Sequence, residues 1–248
     1  MANKICLVCK KRPKRDKYQF CSKRCTDTAA NRAPQLLRVP KDHVMYKDVA
    51  TSFGQNWNWQ RGPRPSIARI YLITWSPSLR KSFDDYRENI ARTMKGNKEP
   101  KEVKRFRCEA RKCRLGDPGE LNNKLCGTPD CWLCRAIETG FRTTLDNKRL
   151  GRGLSRGSRF GRGIYMAPSS SMAFQYAENG GSGSKYKAVL TTRVVLGNPQ
   201  TVKLDNWGRL EPDKGYDSVE AHPPVGPTEV VVFHHDAARP AYLIIAKQ

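Results

Sequence analysis

Two periods of apolar positions run through the chain. Ile67–Trp75 (IARIYLITW) alternates and is rich in β-branched and aromatic residues, which predicts a strand. Leu79, Phe83, Tyr86 and Ile90 recur at helical spacing, so Ser78–Met94 is predicted as a helix with one apolar face. Ser76 and Pro77 mark its start, because proline suits the first helical position, where its missing N–H has no partner to lose. Upstream, Ala33–Pro40 reads as an extended linker bounded by Pro34 and Pro40. Lys41–Phe53 reads as a short helix and Gly54–Ser66 as an irregular loop. The loop's Trp57 and Trp59 fit either core anchoring or base stacking. Downstream come a charged loop (Lys95–Glu102), a short strand (Val103–Cys108), a helix (Trp132–Phe141) and a basic glycine-rich loop (Asn147–Gly163). Strands are expected at Lys187–Val195, Glu229–His234 and Ala241–Ala246. Clustered short strands with few helices between them predict an α+β fold with a mixed sheet.

With 248 residues, the chain has room for one large domain plus a small appendage. Its formal net charge is +23, and the excess is uneven. Residues 1–115 hold 29 basic and 10 acidic side chains, whereas from Ile164 onward there are 8 of each. A basic half against a neutral half is the footprint expected of a partner carrying phosphates, with nucleic acid first in line. Plain solubility is the blander reading of the same lysines. No run approaches the ~20 apolar residues that cross a bilayer, and Met1–Cys9 lacks the apolar stretch of an export signal. An intracellular site, cytoplasmic or nuclear, is therefore expected. Neither a G-x-x-x-x-G-K-[ST] loop nor a strand–G-x-G-x-x-G–helix unit occurs, which excludes P-loop ATPase and Rossmann readings.

Eight of the nine cysteines form two sets of four. The first is Cys6-x2-Cys9 with Cys21-x3-Cys25, and the second is Cys113 with Cys126-x4-Cys131-x2-Cys134. Paired thiolates a few residues apart suit tetrahedral Zn2+, and four protein ligands leave no open position, so both sites are expected to be structural. Disulfides would need an oxidising compartment. The segment 1–30 is too basic and too poor in apolar residues to fold by burial, so metal binding is expected to supply its folding energy. It reads as a basic zinc module, with Phe20 packed over the metal site and 31–66 as linker and short helix. Cys108 is left unpaired.

A resemblance covers the remainder. Arg159-Phe-Gly-Arg-Gly-Ile-Tyr165, with Tyr176 eleven residues on, resembles the G-x-G-I-Y motif and second tyrosine of the poly(ADP-ribose) polymerase catalytic fold. Tyr216-Asp-Ser-Val219, Pro227-Thr-Glu229-Val-Val-Val-Phe233 and Arg239-Pro-Ala-Tyr-Leu-Ile244 are similar to its later motifs, in the same order. The likeness is to small stand-alone members with an N-terminal cysteine module and a cysteine cluster inserted after the first catalytic strand. It implies an ADP-ribosyltransferase catalytic domain over 67–248 with a split mixed sheet and the inserted cluster 113–134. It also implies NAD+ as co-substrate, Glu229 as catalytic glutamate, and Tyr165 and Tyr176 stacked about the nicotinamide ring. By position, Arg107, Cys108, Gly163 and Ser171 join the cofactor-binding set.

Two departures stand out. Where the family has an aromatic followed by His-Gly-Thr, this chain has Phe106-Arg107-Cys108-Glu109, so Arg107 replaces the histidine. An arginine there resembles the arginine-type transferases that grip NAD+ phosphates with a bidentate fork. Ala173 stands at the family's carboxamide-binding serine, with Ser171 the nearest hydroxyl. Loss of the histidine implies mono- rather than poly-ADP-ribosylation, and the basic half implies a nucleic-acid acceptor. A protein acceptor, or an inactive zinc-dependent nucleic-acid-binding protein, are the alternatives.

Overall fold

The computed structural model describes residues 3–94, 99–120, 123–143 and 159–248. Most of the glycine-rich loop, and Lys95 to Lys98 of the charged loop, lie outside these residues.

In chain order the elements are α1 (Lys23–Asn31), β1 (Leu36–Val39), α2 (Val44–Gln55), β2 (Ile67–Ile73), α3 (Pro77–Thr93), β3 (Lys101–Arg107), α4 (Trp132–Thr139), β4 (Ile164–Met166), α5 (Ser170–Tyr176), β5 (Tyr186–Gly197), β6 (Pro199–Val202), β7 (Ser218–Ala221), β8 (Glu229–Val232) and β9 (Ala238–Lys247). They build two sheets, ordered β1-β2-β9-β5-β3 and β4-β8-β7-β6. Every strand pair is antiparallel except β6–β7. This is the split, mixed α+β arrangement that the sequence implied.

The central strands β5 and β9 are apolar on both faces. Leu243 and Ile245 enter one core with Phe83, Ile90 and Leu133, while Ile244 enters a second with Phe53, Trp57 and Val49. The period of two thus feeds two cores from one strand. On α3, Phe83 and Ile90 are buried, and Ser76 Oγ caps the helix by accepting from Leu79 N at 3.2 Å. Arg239 on β9 is buried against it, donating from Nε to Leu79 O and from Nη2 to Ser82 Oγ.

Several elements depart from the sequence reading. The expected linker contains β1, which pairs with β2 from Leu36↔Ile73 to Val39↔Ile70. Leu36 and Val39 are buried at the two ends of a four-residue strand whose Arg38 is exposed, which makes an edge strand too short to signal itself. Short α1, β6 and β7 were likewise not foreseen. Strand β2 stops at Ile73, where Thr74 Oγ1 accepts from Gln35 N at 2.9 Å and Trp75 Nε1 donates to Pro240 O at 2.6 Å. The basic N-terminal segment docks on α2: Val44 N donates to Asn3 O (2.9 Å), and Nε2 of buried His43 bonds Ile5 O (3.0 Å). Phe20 is buried in the same core as Cys6 and Cys25.

Candidate active site

The site is assembled where the two sheets meet. At the end of β3, Phe106 exchanges both backbone hydrogen bonds with Ala167, each 2.8 Å, just beyond β4. On the other side β4 pairs with β8, Tyr165 opposite Val231 and Met166 opposite Val230, which leaves Glu229 at the head of β8. The glycines before Tyr165 are needed for close approach. A Cβ on Gly163 would lie 2.3 Å from Val231 Cγ1, and one on Gly161, at φ +111, would lie 2.5 Å from Arg209 O. The Tyr165 hydroxyl then locks the turn, donating to Gly161 O at 2.7 Å and accepting from Phe160 N at 2.9 Å. Burial raises the Tyr165 pKa, and the Glu229 charge adds to the effect.

Glu229 is half-buried and accepts no hydrogen bond from the described residues. Burial pushes its carboxyl up to about 7; neighbouring Arg159 pulls it down and Asp205 pushes it up. Arg159 is itself held by Asp205, with Nε 2.9 Å from Oδ2 and Nη2 2.8 Å from Oδ1. Glu229 is thus a carboxyl with no hydrogen-bond partner among the described residues, at the head of an otherwise apolar strand, a setting in which burial disfavours its charged form.

Helix α5 carries the second tyrosine. Ser169 caps it, and buried Ser170 Oγ donates to Phe53 O at 2.6 Å, seating it on α2. Its last turn is closed by Lys187 of β5, whose Nζ donates to the carbonyls of Phe174 (3.0 Å) and Gln175 (3.2 Å). A cation at a helix C-terminus is favourably placed. Sequence reading missed Lys187, since the strand pattern gives it no special mark. Tyr176 follows, 51% exposed.

Residues 98–248 match the family model of the Poly(ADP-ribose) polymerase catalytic domain. The chain belongs to this family. No curated protein matches it. The family is that of NAD+ ADP-ribosyltransferases.

Seen as a member of that family, the chain shows where its departures lie. Arg107 is buried, with Nε 2.6 Å and Nη2 2.5 Å from Glu109 Oε1. Its Nη1 donates to the carbonyl of Tyr165, and its guanidinium lies 4.8 Å from the Phe141 ring centre. The residue at the family's histidine position thus touches the tyrosine strand while already paired with Glu109, a partner that sequence reasoning did not single out. Cys108 follows it, its thiol pushed up to about 12 by burial and by Glu109. Ser171 is fully buried and turned inward: its Oγ accepts from Asn58 N (3.2 Å) and bonds Ser169 Oγ (2.6 Å). Ala173 is buried in the core. The structure therefore brings Arg107 to the backbone of Tyr165, and sets Gly163 and Tyr165 against the strand that Glu229 heads. It places Tyr176 at the exposed end of α5 and Ser171 on the buried face of that helix's first turn.

Both cysteine sets converge, and within each the sulfurs lie within 4.8 Å of one another. Sulfur separations are 3.6 Å (Cys9–Cys21) and 3.5 Å (Cys21–Cys25) in the first set. In the second they are 3.8 Å (Cys113–Cys131), 3.7 Å (Cys113–Cys134) and 3.6 Å (Cys126–Cys134). A tetrahedron with Zn–S bonds of ~2.3 Å has edges of about 3.8 Å, so both sets fit a closed structural zinc site. Backbone N–H groups of Lys11 and Arg12 favour the thiolate of Cys9, whereas burial and the neighbouring sulfurs push the Cys21 thiol up. Cys131 heads α4 and accepts from Lys112 N at 3.4 Å. Directly after Lys112, the Cys113-x-Leu-Gly-Asp117 segment is stitched in place by fully buried Arg111. That residue donates to Asp117 Oδ1 (2.7 Å), Leu115 O (3.1 Å) and Ser184 Oγ (2.9 Å).

A groove of about 650 Å³ separates the first cysteine module from the β1–β2 edge. Lys10, Arg38 and Lys41 line it, and none of their side chains has a hydrogen-bond or ion-pair partner among the described residues. No carboxylate lines it. Among the described residues no helix is long and apolar enough to cross a membrane.

Proposed function

We propose that this protein transfers a single ADP-ribose from NAD+ to a nucleic-acid acceptor, preferentially DNA, and releases nicotinamide. The observation that carries the transferase reading is Glu229, an unpartnered carboxylate with its pKa near 7 beside Tyr165. As the nicotinamide–ribose bond breaks, its electron pair leaves with the nicotinamide nitrogen, and positive charge develops at the ribose C1′. The Glu229 carboxylate at a ribose hydroxyl stabilises that charge, and electrostatics of this kind can be the largest catalytic term. The acceptor nucleophile then bonds to C1′ and loses its proton. Tyr165 and Tyr176 are read as the rings that hold nicotinamide by offset stacking. Arg107, Cys108, Gly163 and Ser171 complete the proposed NAD+ set, Ser171 after rotation away from Asn58.

Support for a nucleic-acid acceptor comes from the carboxylate-free groove of Lys10, Arg38 and Lys41 beside a zinc-type module, in the half of the chain that holds the basic excess. Transfer of one unit rather than a chain follows from Arg107 at the histidine position. An intracellular location, cytoplasmic or nuclear, suits such an acceptor and reduced cysteines. A second reading, a zinc-dependent nucleic-acid-binding protein without turnover, is favoured by the neutralisation of Arg107 by Glu109.

Incubation with labelled NAD+ and DNA, RNA or histones separates these. Label on DNA that vanishes in Glu229→Gln supports the proposal. Label on histones alone moves the acceptor to protein, and nucleic-acid binding without label supports the second reading.

A further inference from the structure

The two tryptophans of the loop after α2 have opposite fates. Trp57 is buried, donates from Nε1 to Gly62 O at 2.9 Å and packs edge-on against Phe174 of α5 at 5.6 Å. Trp59 is 64% exposed. The turn that carries it is nevertheless tied down. Asn58 Oδ1 accepts from Gln60 N (2.9 Å), and Asn58 N donates to Ser171 Oγ, tying the turn to α5. Two residues on, Arg61 Nη1 donates to Gln175 Oε1 (2.6 Å) and Gln175 Nε2 donates back to Arg61 O (3.2 Å), directly beside Tyr176.

Arg64 covers Trp59, its guanidinium carbon 5.9 Å from the ring centre. It lies in a notch made by Gly54, where a Cβ would come within 2.2 Å of its Nη1. Neither Arg61 nor Arg64 has a carboxylate partner among the described residues. An exposed indole on a fixed turn, flanked by two uncompensated guanidiniums, is a preorganised stacking surface for a flat ring attached to phosphates. Three hydrogen bonds couple the turn to the helix that carries the second tyrosine of the site.

We propose that Trp59 is the platform on which a nucleobase of a single-stranded acceptor stacks, with Arg61 and Arg64 facing its phosphates, so that the strand is presented at the α5 side of the site. This rests on the nucleic-acid reading above. It makes Trp59 an acceptor-side residue and not part of the NAD+ set.

The test measures affinity for a labelled mixed-sequence single-stranded DNA oligonucleotide by anisotropy, and the KM for NAD+ separately, in wild type, Trp59→Ala and Trp59→Phe. Loss of one stacking aromatic typically weakens binding about 5- to 150-fold. Trp59→Ala should show that loss on single strands, Trp59→Phe should recover much of it, and the NAD+ KM should stay unchanged in both. Wild-type affinity in Trp59→Ala would overturn the platform and leave nucleic-acid binding intact. A raised NAD+ KM with unchanged oligonucleotide affinity would overturn it in favour of the adenine of NAD+ on this ring. Failure of the wild type to bind any nucleic acid would remove the underlying reading as well.

Discussion

Glu109 and Arg107 form a two-point ion pair, Oε1 lying 2.6 Å from Nε and 2.5 Å from Nη2. The arginine therefore reaches the site with its charge already compensated. Glu109→Gln keeps the packing and frees that charge. If Arg107 grips NAD+ phosphates, this variant should lower the NAD+ KM several-fold in steady-state assays. An unchanged KM confines Arg107 to bracing the carbonyl of Tyr165.

Arg107→Ala strands a half-buried Glu109, so thermal or denaturant unfolding should show a loss of about 3 kcal/mol. Arg107→Lys should recover little of it, because one ammonium cannot span both Glu109 and the Tyr165 carbonyl. Arg107→His restores the family residue. A rise in turnover would mark the arginine as a partial loss of function, and a collapse would mark it as a working grip.

Glu229 sets a pH dependence of both activity and stability. The working form is the carboxylate, so kcat/KM should climb through pH 7 as the group ionises. Stability runs the other way. A folded pKa above the unfolded value of ~4.3 means the native state binds the extra proton between those values, and stability falls as pH rises across that window. Glu229→Gln should abolish transfer yet stabilise the protein by about 1–3 kcal/mol at pH 8 in denaturant unfolding. A Gln variant that is less stable at pH 8 than wild type would contradict the strained carboxylate.

Metal analysis should return two zinc ions per chain. Cys131→Ser removes a ligand that also heads α4 and receives Lys112 N, so chelation or this variant should lower the melting temperature of the catalytic half as well as weaken substrate binding. Disulfides in place of zinc would end the metal reading of both sets.

The groove makes a prediction about salt. Each phosphate counterion displaced adds ~0.9 to the slope of log affinity against log salt on duplex DNA. Replacing Lys10, Arg38 and Lys41 with alanine should flatten that slope by about 2–3, leaving NAD+ turnover without acceptor unchanged. An identical slope would place the contacts elsewhere.

Where local chemistry was strong, the sequence spoke plainly. Helix α3 announced itself through Phe83, Ile90 and the Ser76–Pro77 start, and the two cysteine tetrads were readable because ligand spacing is local. The order of motifs around Tyr165 and Glu229 carried the family. What stayed hidden depends on partners distant in sequence. β1 is a strand only because β2 offers Ile70 to Ile73 as an edge. Lys187 gains its place from the end of α5, twelve and thirteen residues earlier. The opposite exposures of Trp57 and Trp59 are set by Phe174 and Arg64, and no periodicity across two residues separates such neighbours.

The reciprocal bonds between Phe106 and Ala167 have a mechanical consequence. They pin the two sheets together at this point, and Arg107 and Tyr165 sit within a residue or two of the pin on either side. Arg107 lies one step past the pin on one side, and Tyr165 two steps before it on the other. The spacing of these two residues is thereby set by a single pair of backbone bonds and three residues of chain, whereas Tyr176 takes its position from α5 and the contacts that seat that helix.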